Sequence, residues 1–118
     1  MKRLLQARCA TQDEVKNIVN VASRLHNGQE TGYYALVEIN GERPDLYGCV
    51  SVNIKFVPAR NSARPFELFV DTEGFFGQEQ EALPFAVFHT AKDKEELYAL
   101  IKDLEREAFA YAVKVLPD

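Results

Sequence analysis

The clearest pattern in the sequence is an unbroken alternation of apolar and polar residues over 48–57. Four apolar residues fall on one side of it: Val50, Val52, Ile54 and Phe56. Successive side chains of a β-strand point to opposite faces, so this pattern predicts a strand with one buried face. A slip of one residue would turn the apolar set toward water. We therefore expect this strand to fix the register of its neighbours.

Three further segments show strand patterns. Residues 33–40 alternate, and Asn40-Gly41 is a turn signal that joins them to the central strand as a hairpin. Residues 66–71 form the next predicted strand, and another begins at residue 84 or 85 and ends at Thr90. The hairpin is the strand pairing that the sequence supports most strongly.

The first helix is predicted from Thr11, where Thr11 and Glu14 fit a capping box. Apolar residues then recur at three- and four-residue spacing, and Asn27-Gly28 ends the helix. Residues 3–9 are ambiguous. They fit either a short first strand or a backward extension of this helix.

A second helix is predicted from about Asp93 to Val115, with Asp93 and Glu96 spaced as in a capping box. The element order is therefore (β)αββββα within a single domain, 1–118. Short connections between strands favour antiparallel neighbours, and each helix has one apolar stripe to bury. The sequence predicts a two-layer α+β sandwich, with a four- or five-stranded mainly antiparallel sheet and both helices on one face.

The totals fit a small intracellular domain. The chain has 118 residues, of which 47% are hydrophobic, enough for one core without staples. No apolar run is long enough to span a bilayer, no secretory signal is evident, and two cysteines do not make a disulfide framework. These features predict a cytoplasmic protein that does not interact with membranes.

Charge is unevenly distributed along the chain. Residues 1–64 hold nine basic and six acidic residues, a net +3, whereas residues 65–118 hold five and twelve, a net −7. The acidic second half makes general binding of nucleic acid less favourable, because phosphate contacts need clustered positive charge. It suits a basic or cationic partner instead.

The sequence contains no arrangement typical of an active site, and it predicts neither an enzyme nor a cofactor. A zinc site would have to draw on Cys9, Cys49, His26 and His89, which lack the close spacing of zinc ligands. Both cysteines are better interpreted as small buried hydrophobic residues. The histidines are interpreted as residues at the end of a helix and at the end of a strand.

Two sets of charged residues each have a functional interpretation and an ordinary structural one. Glu67 and Asp71 flank Phe69 on one strand face and could serve acid–base chemistry, but a solvated sheet face explains them better. Lys55, Arg60 and Arg64 bring three cations around a proline-bracketed loop. They predict a clamp for a phosphate or carboxylate, against the alternative of a charged, solvated hairpin tip.

The connection 72–84 carries Phe75 and Phe76 between glycines and acidic residues. Long connections without structure of their own are often functional, and an exposed aromatic residue with an acidic rim suits protein recognition. The alternative is that both rings pack beneath the connection.

The second face of the sheet is a further candidate for partner binding. Straight alternation places four apolar or aromatic residues opposite the helices: Tyr34, Leu36, Phe69 and Phe88. Open patches of this kind usually mark an interface, so a homodimer through this face or through an edge strand is plausible. The acidic surface of the last helix, with Glu105 and Glu107, is a third candidate.

The leading interpretation is a non-enzymatic, protein-binding or regulatory domain. A sharper version is an acidic inhibitor of a host nucleic-acid-binding complex, by analogy of size and charge with small proteins of phages and mobile elements. One alternative is a nucleic-acid-binding protein that uses loop 55–64. Another is an enzyme or sensor with a small-molecule pocket between sheet and helices, containing Glu67, Asp71 or His89.

Overall fold

A computed structural model describes residues 6–40, 47–74 and 88–115 of the chain. Its elements are β1 (Gln6–Cys9), α1 (Gln12–Ser23), β2 (Glu30–Asn40), β3 (Tyr47–Phe56), β4 (Phe66–Gly74), β5 (His89–Ala91) and α2 (Lys94–Val115). The five strands form one curled antiparallel sheet in the order β1-β2-β3-β4-β5, and the two helices cover one face. The predicted α+β class and element order are confirmed.

Several element boundaries differ from those that the sequence predicts. The ambiguous first segment is a strand, because β1 pairs with β2 and Cys9 faces Val37. The first helix ends at Ser23, earlier than predicted, and β4 continues to Gly74. The start of the predicted strand from residue 84 or 85 lies outside the described residues, and β5 covers only His89–Ala91.

The core lies between the helices and one face of the sheet. Val52 and Ile54 of β3 are fully buried, as the alternation of that strand predicts. Both helices contribute an apolar stripe to the same cluster, and α1 also contacts α2. The core residues from the helices are Val15, Ile18, Val19, Ala22, Leu97, Ile101, Leu104, Ala108 and Ala112.

A β-bulge interrupts the alternation of β2. Ala35 faces Ser51 and Val37 faces Val50, so Leu36 is an extra residue on its strand. A bulge of this kind brings two residues opposite one and changes which positions face inward. Leu36 and Val37 are consequently both buried in the core.

The bulge overturns the predicted position of two residues. Tyr34 faces Val52 across the ladder and packs against the core from the helix-covered side, and Leu36 is buried within the core. Straight alternation had placed both on the opposite face, which was wrong because it assumed a regular strand. Because of the bulge, Tyr33 is the tyrosine that lies on the opposite face.

A second irregularity lies at the start of β2. Gly32 has a φ of 82°, a backbone conformation that glycine adopts without steric cost. Beside it, the Thr31 hydroxyl accepts a hydrogen bond from the Ile54 N–H at 3.1 Å and donates one to the Gly32 carbonyl at 2.7 Å. The side chain thus replaces a ladder bond that the shifted register removes.

The N-terminus of α1 has the predicted capping box. The Thr11 hydroxyl accepts from the Glu14 N–H at 3.1 Å, and the Glu14 carboxylate accepts from the Thr11 N–H at 2.9 Å. Arg8 donates to the second Glu14 oxygen at 2.7 Å. The backbone hydrogen bond and Arg8 together lower the pKa of Glu14.

We expect Thr11→Ala to lower the free energy of unfolding by about 1 kcal/mol, because one helix N–H loses its partner. Urea denaturation measures this change, and Thr11→Ser serves as the control that keeps the hydroxyl. An equal loss of stability in Thr11→Ala and Thr11→Ser would contradict a capping role.

Folding lowers the pKa of Glu14. The contribution of the Glu14 carboxylate to stability is therefore present at neutral pH and is lost as the pH falls into the acid range.

Candidate functional site

The face of the sheet opposite the helices carries a row of four side chains, which we call the aromatic row. Tyr33 of β2 faces Asn53 of β3, and Asn53 faces Phe69 of β4. Phe88 precedes β5 and places its ring 5.2 Å from that of Phe69, between centroids. We call this side of the sheet the open face.

The two ends of the aromatic row are exposed. Tyr33 is 59% and Phe88 52% accessible to solvent. These are the two highest exposures among the large hydrophobic residues that the structure describes. Exposed aromatic rings on a face that no described helix covers have the composition of a binding surface.

The centre of the aromatic row holds an unusual polar group. Asn53 is only 7% exposed, and its Oδ1 is buried without a hydrogen-bond partner among the residues that the structure describes. Burial of a polar atom without a partner costs free energy, so such atoms are rare in folded proteins. An acceptor left without a donor here is a feature that a ligand can satisfy.

We expect Asn53→Val to raise the free energy of unfolding by about 1 kcal/mol. The substitution removes the unsatisfied oxygen and places a β-branched residue in the central strand. Thermal or urea denaturation measures the change, with Ser51→Val on the same face as the control for strand propensity. A loss of stability would show that the Asn53 amide has a stabilising role in the free protein.

Carboxylates lie beside one flank of the aromatic row. On the adjacent cross-strand pairs, Asp71 faces Ser51 and Glu73 faces Cys49, and both acidic side chains are exposed. Neither carboxylate forms an ion pair with the residues that the structure describes. This end of the open face is therefore negatively charged.

The opposite flank of the row holds Glu67, which faces Lys55 on β3. Glu67 is buried, and both of its carboxylate oxygens accept from Nη1 of Arg60, at 2.9 and 3.2 Å. The Arg60 charge is thus matched by a carboxylate of the same domain. Asp71, the other half of the predicted acid–base pair, is separate from Glu67 and exposed to solvent.

Arg64 is likewise engaged within the domain. Its Nε donates to the Thr90 hydroxyl at 2.9 Å and its Nη2 to the Thr90 carbonyl at 2.8 Å, and Nη2 also contacts the Glu96 carboxylate. From the sequence, an anion clamp formed by Lys55, Arg60 and Arg64 is one interpretation and a charged, solvated hairpin tip is the other. The structure gives the two arginines partners within the domain, and anion binding by the three residues stays a prediction.

The other predicted partner-binding residues are dispersed. Glu105 is partly buried, with Lys102 Nζ 3.6 Å from its carboxylate, whereas Glu107 is exposed. Burial, followed by the charge of Glu105, raises the pKa of the Cys9 thiol. Phe75 and Phe76 lie outside the described residues, and their predicted role stays a prediction.

A cavity of about 580 Å³ lies between α1 and the edge of the sheet formed by β1 and β2. Tyr34 and Ile18 form its apolar wall. The polar wall consists of Arg8, Asp13, Glu14, Asn17 and Glu38. None of Glu67, Asp71 and His89, which the sequence interpretation placed in a pocket, lines this cavity.

Over residues 6–40, 47–74 and 88–115, no three potential metal-ligating side chains lie close enough together to hold an ion. Within the same ranges, no helix combines the length and apolarity needed to cross a membrane.

No protein-family model, curated protein or solved structure matches this chain. Asn53 is not among the residues that the sequence singles out, because it is one of the polar positions in the regular alternation over 48–57. The available signal was an amide side chain within a run of strand-forming residues.

Proposed function

We propose that this chain is a protein-binding domain that acts without catalysis, and that the open face is its docking surface. The observation that carries the proposal is the exposure of Tyr33 and Phe88 at the two ends of one row, at 59% and 52%. Aromatic residues supply a large share of the binding energy at protein interfaces.

The surroundings of the row have the anatomy of an interface. The apolar part of the row, formed by Phe69 and Phe88, is bordered by Asp71 and Glu73 on one flank and by the Arg60–Glu67 ion pair on the other. Protein interfaces combine a core rich in aromatic residues with a polar rim. Binding without chemistry suits a regulatory or inhibitory role in which this face blocks a surface of its partner.

The experiment is affinity capture from the native host with three forms of the tagged chain. We expect the wild type to retain a partner and Tyr33→Ala/Phe88→Ala to lose it by at least about tenfold, since each aromatic anchor contributes 1 kcal/mol or more. Phe109→Ala is the matched control, because Phe109 is an exposed aromatic residue on α2, at 39%. A partner retained equally by all three forms would overturn the proposal.

A second candidate is binding of a small molecule, favoured by the cavity of about 580 Å³. Clefts of this size with an apolar wall and a few polar groups are typical of ligand sites. Asn17 is exposed at its rim, so Asn17→Trp fills the cavity without disturbing the core. A metabolite that raises the Tm of the wild type and leaves that of Asn17→Trp unchanged would establish this function.

A further inference from the structure

We infer that the aromatic row recognises a cationic side chain, foremost an arginine, in a basic segment of a partner protein. The inference rests on the proposed function and names the chemistry of the partner. Three features of the open face call for the same ligand: an acceptor without a donor among the described residues, aromatic rings, and a flank of carboxylates without ion pairs to the described residues.

The acceptor is the Asn53 Oδ1, which is buried and has no hydrogen-bond partner in the described ranges 6–40, 47–74 and 88–115. A carbonyl oxygen can only accept, so the missing group is a donor. Guanidinium and ammonium groups are donors without acceptor capacity, and they therefore complement this atom without leaving a lone pair of their own unsatisfied. An anionic ligand would place a second acceptor against it.

The rings on either side of Asn53 favour the same ligand. Cross-strand pairing places Tyr33 and Phe69 on opposite sides of the amide. The faces of aromatic rings attract cations, and an arginine can stack on a ring while its N–H groups donate to a neighbouring oxygen. The row thus offers a stacking surface and an acceptor within the reach of one side chain.

Charge complementarity predicts that the partner surface around the bound side chain is positively charged. Asp71 and Glu73 follow Phe69 on the same face of β4, roughly 7 and 14 Å along the strand by the rise per residue. The nearer carboxylate lies within a Debye length of the row, so it attracts a cation bound there. On the opposite flank, Arg60 is paired with Glu67 and Lys55 faces Glu67 across the ladder, so the negative field is confined to the Asp71 and Glu73 side of the row.

A ligand reaches the buried oxygen only when a side chain that covers it moves aside. Of the two rings that flank Asn53, Tyr33 has the room to move, because 59% of its surface is exposed to solvent. Exposed side chains exchange rotamers on the picosecond to nanosecond timescale, so the movement does not limit binding. Binding then restores the burial of Oδ1 with a donor in place.

The test uses a fluorescent oligoarginine peptide as the probe and measures its affinity for the intact chain by anisotropy. Tyr33→Leu keeps an apolar side chain without a π face, and we expect it to bind about threefold to tenfold more weakly, whereas Tyr33→Phe binds as the wild type does. Asn53→Val should lose at least about threefold while remaining fully folded. In the wild type, addition of the peptide should shift the side-chain amide signals of Asn53 in a ¹H–¹⁵N spectrum.

Two double variants separate a specific site from general attraction. Asp71→Asn/Glu73→Gln should weaken the peptide and reduce the salt dependence of its binding. Glu95→Gln/Glu107→Gln removes the same charge from exposed positions of α2 and should have little effect. Equal losses in the two double variants, or equal affinities of Tyr33→Leu and Tyr33→Phe, would overturn the inference.

The two proposals fail in different ways. Suppose that Tyr33→Ala/Phe88→Ala loses the host partner but that every variant binds the peptide as tightly as the wild type does. The open face then binds a protein through groups that are not cationic, and only this inference fails. If the partner is retained by that double variant, the proposed function fails as well.

Discussion

Replacing Ile54 by alanine is expected to lower the free energy of unfolding by about 2–5 kcal/mol. Ile54 is fully buried in the middle of the sheet, where it faces Leu68 of β4 on the helix-covered side. Truncation removes apolar contacts and leaves a cavity between sheet and helices, and close-packed interiors relax only partly around such a cavity. The loss is a large fraction of the stability of a typical domain.

Urea denaturation followed by circular dichroism measures this loss as a lower midpoint at unchanged slope. The neighbouring substitution Asn53→Val provides the contrast, because the two side chains lie on opposite faces of β3 and are expected to change stability in opposite directions. A cost below about 1 kcal/mol for Ile54→Ala would contradict the position of the core, since fully buried isoleucines are seldom truncated so cheaply.

Local patterns in the sequence predicted the elements that depend on local physics. The alternation through Val52 and Ile54 placed the buried face of β3 correctly, because strand periodicity depends only on consecutive residues. The Thr11 and Glu14 pair predicted the start of α1, and both hydrogen bonds of that capping box are present. These interactions span three residues and need no knowledge of the tertiary structure.

The features that escaped prediction arise from pairing between distant segments. The bulge at Leu36 exists only relative to β3, and it moves Tyr34 to the helix-covered face and leaves Tyr33 on the open one. Alternation within β2 alone contains no sign of the extra residue. The open face therefore has different aromatic residues from those that a regular strand predicts.

The same reason explains the outcome for the basic loop. Arg64 lies 32 residues from Glu96 along the chain, and their contact forms only once β4 and α2 are in place. From sequence, clustered cations indicate an anion site, whereas the fold supplies the carboxylates itself. The predicted capping box at Asp93 is affected by this contact. The Asp93 side chain accepts from the Glu96 N–H at 2.9 Å, but the Glu96 side chain contacts Arg64.

Replacing Arg64 by alanine is expected to lower the free energy of unfolding by about 2 kcal/mol. The guanidinium group joins the loop before β4 to β5 and α2, since it donates to the hydroxyl and carbonyl of Thr90 in β5 and contacts Glu96 in the first turn of α2. Hydrogen bonds with a charged donor are stronger than neutral ones, but Arg64 is partly exposed and solvent screening reduces the ion-pair contribution.

The matched control is Arg24→Ala, which removes the same charge from an exposed side chain without an ion pair or hydrogen bond to the described residues. We expect it to change stability by less than about 0.5 kcal/mol. Arg64→Lys should recover only part of the loss, because an ammonium group cannot reproduce the forked geometry toward Thr90 and Glu96. If Arg64→Ala is as stable as Arg24→Ala but loses retention on heparin, Arg64 serves anion binding rather than the fold, and the nucleic-acid alternative regains its support.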